Sequence, residues 1–130
     1  MLEEKTFHYK GKGLKPKIQL TIKHGEREAS SDAVIDSGAD ISIFDASIAE
    51  HIGLPFSRFE QKQIAGVSGF VKANICKVQA DILGEFFELP VAFVSNYSGP
   101  FNILGRKGFF EKHVITFDEA KLEIKVKKST

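Results

Sequence analysis

A single cysteine, Cys76, means that no disulfide can form within the chain and that no cluster of thiolates within it can hold a metal. Cys76 lies in an alternating apolar segment and reads as a small buried hydrophobe rather than a nucleophile. His8, His24, His51 and His113 are dispersed, and no His-Glu-x-x-His helix face occurs, which removes zinc hydrolysis of that type. Gly-x-Gly-x-x-Gly and Walker loops are also missing, so no nucleotide, metal or other cofactor is expected. No apolar run approaches the roughly twenty residues needed to cross a bilayer. Met1-Leu2-Glu3-Glu4-Lys5 lacks the basic-then-apolar order of a secretory signal, so the expected location is cytoplasmic and Asn96-Tyr97-Ser98 reads as a polar loop rather than a glycosylation site. Charge of one sign is scarce too: eighteen Lys and Arg face seventeen Asp and Glu. The first thirty residues carry seven basic and four acidic side chains, too dilute to neutralise many phosphates, so neither nucleic acid nor membrane is expected as a partner.

With 130 residues there is room for one domain around one core. The expected division is an N-terminal arm over 1–14, a globular domain over 15–127 and a short tail over 128–130. The arm is polar and carries Gly11 and Gly13, which suits either a loosely held segment or an edge strand. Ile18, Leu20 and Ile22 alternate with polar neighbours, the period-two pattern of a half-buried strand, and His24-Gly25-Glu26 turns it back. The return strand becomes continuously apolar at Ala33-Val34-Ile35. Further along, Cys76, Val78, Ala80 and Ile82 mark another strand, Gly84-Glu85 a turn, and Phe86 to Val94 a strand in which Pro90 argues for an edge or a bulge. Ser95 to Pro100 reads as a loop, Phe101 to Gly105 as a short buried segment, Arg106 to Lys112 as a short helix and 114–126 as a closing hairpin. Only short helices are available, one of them capped by Asp45 and ended by Gly53. The fold class is therefore all-β, a small closed or nearly closed barrel with one or two short helices.

Against this background Asp36-Ser37-Gly38-Ala39-Asp40 stands out. A carboxylate directly after buried β-formers is placed by its surroundings rather than by solubility, and Ile41, Ile43 and Phe44 restart the apolar pattern at once. A second unusual stretch is 60–73, where two strand-like arms flank the tip Ala65-Gly66-Val67-Ser68-Gly69. Hairpin tips are normally polar. An apolar tip fits either a hairpin tucked on the core or one that closes over something intermittently present.

These segments, in this order, resemble the retropepsin-like aspartic proteases over most of the chain, from about Lys15 to Val126. Asp36-Ser37-Gly38-Ala39-Asp40 matches the Asp-Thr/Ser-Gly-Ala signature, Ile64 to Phe70 falls at the glycine-rich flap, and Ile103-Leu104-Gly105-Arg106 matches the apolar-apolar-Gly-Arg segment near the end. The resemblance implies an acid-protease barrel with a flap hairpin, with Asp36, Ser37 and Gly38 as the catalytic turn. It implies a substrate groove lined by Ala39, Asp40, Ile41, Gly66, Val67, Ser68, Gly69, Phe70, Phe101 and Ile103, supported by Ile103, Leu104, Gly105 and Arg106, with Asp40 paired to Arg106.

Peptide hydrolysis by water needs one group that takes a proton and one that gives it, and two carboxyls sharing a proton do both. One chain supplies one Asp-Ser-Gly turn, so the expected assembly is a homodimer with Asp36 of each copy at the twofold axis. The competing expectation is the same fold without turnover, binding extended peptides or serving in assembly. The chain departs from retroviral members in its longer segments before Asp36 and after Gly105, so the dimer interface is expected to be built differently.

Overall fold

The computed structural model describes residues 3–66, 69–99 and 102–129. Val67, Ser68 and Phe101, three of the expected groove residues, lie outside the described residues.

The alternating segment forms β2 (Lys17–His24), which turns at Gly25 and pairs antiparallel with β3 (Arg27–Ile35). After the Asp36 turn come β4 (Ser42–Asp45) and a short α-helix, α1 (Ala46–His51). Asp45 caps α1 by accepting from the Ser47 amide at 3.0 Å, and Gly53 follows with φ of +70°, the backbone state that ends the helix. β5 (Gln61–Gly66) and β6 (Gly69–Ile82) form the hairpin, with Gly66 opposite Gly69. β6 is one uninterrupted strand of fourteen residues, longer than the sequence pattern suggests, because nothing between Ala73 and Cys76 turns the chain. β7 (Glu85–Val94) returns along it, β8 (Asn102–Leu104) follows, and β9 (His113–Asp118) and β10 (Glu123–Lys128) make the closing hairpin.

The order β2-β3-β8-β4-β7-β6 closes on itself through pairing of β6 with β2 (Thr21↔Asp81, Ile22↔Ala80), giving a six-stranded barrel, while β5 extends β6 beyond the wall. Two pairings are parallel, β3 with β8 and β4 with β7. Pro90 sits where β7 has β6 on one side only, since the β4 ladder begins at Val91, so the proline removes no bond from a two-sided ladder. The expected arm resolves as an edge strand: β1 (Glu4–His8) pairs with β10, making a three-stranded sheet in the order β1-β10-β9.

Residues 106–112 correct the expected short helix. They form turns ending in a 3-10 segment, Phe110–Lys112. Gly108 has φ of +79°, and Phe109 is fully buried against Phe87 and His113. Tertiary packing of the aromatic ring outweighs helix propensity there.

The barrel interior is filled by Ile18, Leu20, Ile22, Phe44, Val78, Leu89, Phe93, Leu104 and Phe109. A smaller apolar cluster on the opposite face joins Ala73, Ala92 and Val94 to the half-buried Ile41, Ile43, Ile64, Ile75 and Tyr97. This second cluster runs from the exit of the Asp36 turn to the base of the β5–β6 hairpin.

Cys76 is buried in the main core, and burial alone pushes its thiol up to about 11. The neutral thiol is the form that fits the fold, so its contribution is intact below its ordinary value of 9.0 and fades only as pH climbs toward about 11. Iodoacetamide at neutral pH is expected to leave the native protein unlabelled and to modify Cys76 fully in guanidinium, as mass spectrometry would read. Rapid labelling of the native state would contradict this packing.

At the opposite end, the fully buried side chain of His113 fixes the terminal sheet to the barrel. Its Nε2 lies 2.6 Å from Glu85 Oε2 and its Nδ1 2.8 Å from the Phe109 carbonyl, and Lys5 Nζ reaches Glu85 at 3.7 Å. These contacts connect β1, β7 and β9 through one carboxylate.

Candidate active site

The Asp36 turn begins where β3 ends, and the chain's last quarter holds it in place. Ile35 N–H donates to the Pro16 carbonyl at 2.9 Å, and Asp36 N–H donates to the Leu104 carbonyl at 3.0 Å, continuing the parallel β3–β8 ladder by one residue. The turn closes through Ala39 N–H to the Asp36 carbonyl at 3.2 Å. Its far side is tied by Arg106 N–H to the Ala39 carbonyl at 2.8 Å and Lys107 N–H to the Asp40 carbonyl at 3.0 Å. Backbone groups thus define both ends of the turn.

Within it, Asp36 is half-buried and its Oδ1 accepts from Gly38 N–H at 2.8 Å. A Cβ on Gly38 would stand 3.1 Å from that same oxygen, so the glycine lets the carboxylate lie close to the chain. Among the described residues nothing bonds Asp36 Oδ2, and no hydrogen bond or ion pair joins Asp36 to a second carboxyl group. Ser37 and Gly38 are exposed at the turn's tip, Ala39 is half-buried and Asp40 is exposed. One chain therefore presents one carboxylate with a free oxygen at its surface.

Gly105 underlies the turn. A Cβ there would lie 2.6 Å from the Ile41 carbonyl carbon and oxygen and 2.7 Å from the Ala39 oxygen. Two backbones pass closer than any side chain permits. Gly105 N–H donates to Ser42 Oγ at 3.0 Å, and Ser42 is completely buried. Ile103 is half-buried and pairs with Ile43, while Leu104 is buried in the core.

The expected Asp40–Arg106 ion pair is corrected. Both side chains are exposed, and no ion pair joins them among the described residues; their segments meet through backbone hydrogen bonds instead. In water such a surface pair gains little, roughly 0 to 1 kcal/mol, so its absence leaves the turn's supports intact.

Two residues that sequence reasoning did not single out complete the scaffold. Ser42 alternates with Ile41 and Ile43 so that it points inward with Phe44, a position that period-two counting could have marked as a buried hydroxyl needing a partner. Asn102, on β8, accepts from Asp45 N–H at 3.0 Å and donates to Ser31 Oγ at 2.7 Å. It thereby staples the strand entering the turn to the strand leaving it.

The β5–β6 hairpin carries the other half of the expected groove. Gly69 has φ of +118°, next to Phe70 at 73% exposure and Val71 at 43%. Ile64, paired with Val71 on the hairpin, joins Ile41 in the second apolar cluster, so turn and hairpin share one apolar floor. A separate polar concavity of about 420 Å³ is lined by residues including Lys17, Asp32, Asp45, Tyr97 and Asn102, and not by Asp36.

The family model for retroviral aspartyl protease matches residues 14–113. Among solved structures, the chain is similar to a retropepsin-like aspartic protease from Rickettsia conorii, with a TM-score of 0.72 at 13% identity, covering 98% of this chain and 92% of that one. It is also similar to EIAV protease complexed with the inhibitor HBY-793, with a TM-score of 0.51 at 21% identity over 71% of this chain and 82% of that one. No curated protein sequence matches it. At these identities the structures speak to the fold, whereas the family model spans the Asp36 turn, the hairpin and the Gly105 segment together. With its closed barrel and its Asp-Ser-Gly turn held over Gly105, the chain belongs to the retroviral aspartyl protease family.

Proposed function

We propose that the protein is an aspartic endopeptidase that works as a homodimer, with Asp36 of each copy forming a proton-sharing pair. The observation that carries this reading is the single Asp36 turn, braced on its protein side and open at Oδ2 on the other. Two copies facing across a twofold axis supply the second carboxyl group that one chain lacks.

In the reaction one Asp36 carboxylate takes a proton from a water whose oxygen attacks the peptide carbonyl carbon. The protonated Asp36 of the other copy gives its proton to the carbonyl oxygen. Collapse of the resulting gem-diol, with a proton passed to the peptide nitrogen, breaks the C–N bond. Ser37, exposed at the tip, holds the two turns together through its hydroxyl, and Gly38 leaves room for substrate. An extended peptide lies between the floor at Ala39, Asp40, Ile41 and Ile103 and the hairpin at Gly66, Gly69 and Phe70. Apolar side chains around the scissile bond suit that floor.

Cleavage of a mixed peptide library at acidic to neutral pH, blocked by an inhibitor with a hydroxyl in place of the scissile carbonyl, is the expected result. Peptide binding without cleavage would favour the silent module instead. The hairpin provides a separate test. Phe70 is mostly exposed, so Phe70→Ala is expected to leave stability within about 0.5 kcal/mol. Loss of its cover over the groove should lower kcat/KM by about tenfold, corresponding to about 1.4 kcal/mol of transition-state binding. A large drop in Tm with unchanged kinetics would make Phe70 a packing residue and remove the flap role.

A further inference from the structure

β3 is paired along its length on one side only. There β2 runs beside it from Arg27 to Val34, whereas on the other side β8 joins it only from Ala33 onward. Two bonds at its end fix the direction of its backbone groups: Ile35 N–H goes to Pro16, on the β2 side, and Asp36 N–H goes to Leu104, on the β8 side. Alternation along a ladder without a bulge then turns the amides of Ala29 and Ser31 toward β2 and those of Glu28, Ser30 and Asp32 away from it. Among the described residues no strand lies beyond those three, and no other group bonds their N–H or the carbonyls of Glu28 and Ser30. All three residues are exposed.

That open edge is one wall of a trough. The polar concavity of about 420 Å³ beside Asn102 has a neighbour of about 540 Å³ lined by Glu28, Ala29, Ser30 and His51, and Ser47 and Ile48 of α1 line both. The two therefore run together between β3 and α1. Asn102 closes one end through its bonds to Asp45 N–H and Ser31 Oγ, and Arg27 reaches the other, its guanidinium lying against Gly53 just past α1. From Glu28 to Asp32 the edge covers about 13 Å, the length of a five-residue strand. Small side chains at Ala29, Ser30 and Ser31 leave room for such a strand.

We infer that the β3 edge takes an extended, basic peptide segment of a partner protein, added to the barrel as one more strand. An antiparallel segment centred on Ser30 sets its first and fifth side chains beside Glu28 and Asp32, on the outer side of the sheet. Those two carboxylates choose the partner. A second copy of this same edge would bring Glu28 against Asp32 of its counterpart, twice, and like charges directly opposite are destabilising, whereas Lys or Arg there is favourable. Lys10 already holds Asp32 Oδ1 at 2.6 Å, but both side chains are about half exposed, and such a pair gains only roughly 0 to 1 kcal/mol. Asp32 Oδ2 remains for a second cation. Lys17, opposite Val34, lies beyond the Asp32 position. The second and fourth side chains of the segment turn inward with Ala29 and Ser31, toward Ile48, where short apolar groups fit. Asp36 lines neither concavity, so this edge goes beyond the groove proposed for cleavage.

The probe is the end-blocked peptide Gly-Lys-Val-Thr-Val-Lys-Gly carrying fluorescein, followed by fluorescence anisotropy on the full chain with Asp36→Asn, so that cleavage cannot consume it. Saturable binding is expected. The same peptide with both Lys replaced by Glu, or with Thr replaced by Pro, which lacks the central N–H, should bind at least about tenfold more weakly. In the protein, Ser30→Pro removes an amide that points into the trough, at an edge position where proline is tolerated, and should weaken the probe at least about tenfold while the circular dichroism spectrum stays that of the parent. Reversing both charges, Glu28→Lys with Asp32→Lys, should transfer the preference to the Glu peptide. Amide exchange read by NMR gives the strand signature: with probe bound, Ser30 and Asp32 slow, while Ala29 and Ser31, already bonded to β2, do not change. A probe that fails to bind, equal affinity for the three peptides, exchange without the even-odd alternation, or displacement by an inhibitor seated at the Asp36 turn would each overturn the inference. Binding at β3 by a protein that cleaves no peptide would uphold the edge and remove only the protease reading.

Discussion

Asp36→Asn is expected to reduce kcat/KM by at least about a thousandfold while leaving the fold and the dimer unchanged. The asparagine keeps an oxygen in the position of Oδ1, so the 2.8 Å bond from Gly38 N–H survives and the turn has no reason to move. What disappears is the capacity to take a proton from water on one side and to deliver one to the carbonyl oxygen on the other. In the proposed homodimer the change enters both copies, so acid and base are lost together. Peptide cleavage followed by mass spectrometry, with thermal unfolding as the control for folding, reads both halves of the expectation. Activity within about tenfold of wild type would assign the chemistry to another group and sink the proposed mechanism.

Gly105→Ala should produce the largest loss of stability of any single methyl addition at the site. Backbone atoms of Ile41 and Ala39 stand 2.6 and 2.7 Å from where the methyl carbon would go, and backbone cannot rotate away as a long side chain can. The strain must open the contact between the Gly105 segment and the turn, weakening the bonds from Arg106 and Lys107 and the buried bond to Ser42. We expect a cost of about 3 kcal/mol or more, a large fraction of a typical domain's 5–15 kcal/mol, and a fall in Tm of about 10 °C. Gly25→Ala serves as the comparison. Gly25 has φ of +61° and nothing within 4 Å of an added Cβ, so only backbone strain applies, about 1 kcal/mol. Equal Tm values for the two variants would mean that the close approach at Gly105 is not a constraint.

The parts of this fold that could be read from sequence are those governed by near neighbours. Ile18, Leu20 and Ile22 alternate and are all buried; Asp45 caps the helix that Gly53 ends; Gly25 turns the first hairpin and 119–122 the last. Each depends on a few consecutive residues. The parallel pairings of β3 with β8 and β4 with β7 carry no such local mark, because each strand's partner lies far along the chain. The error at 106–112 has the same origin: the buried ring of Phe109 and the left-handed Gly108 respond to Phe87 and Pro90, which periodicity does not see. At the site, the motif singled out Asp36, Gly38 and Gly105, while Ser42 and Asn102 emerged only once β3, β4 and β8 were side by side. The Asp40–Arg106 pair came from the resemblance, and solvent exposure of both side chains removes any strong drive to form it.

The supports of the Asp36 turn have a bearing on biosynthesis. Residue 36 leaves the ribosome early, but the carbonyl of Leu104, the cleft beneath Gly105 and the amides of Arg106 and Lys107 belong to the last quarter of the chain. A nascent polypeptide can form the β2–β3 hairpin from local contacts, yet it has nothing with which to hold the acidic loop in this shape until the segment from Leu104 to Lys107 has emerged. The acidic loop therefore takes its shape only after a segment about seventy residues further along the chain has folded against it.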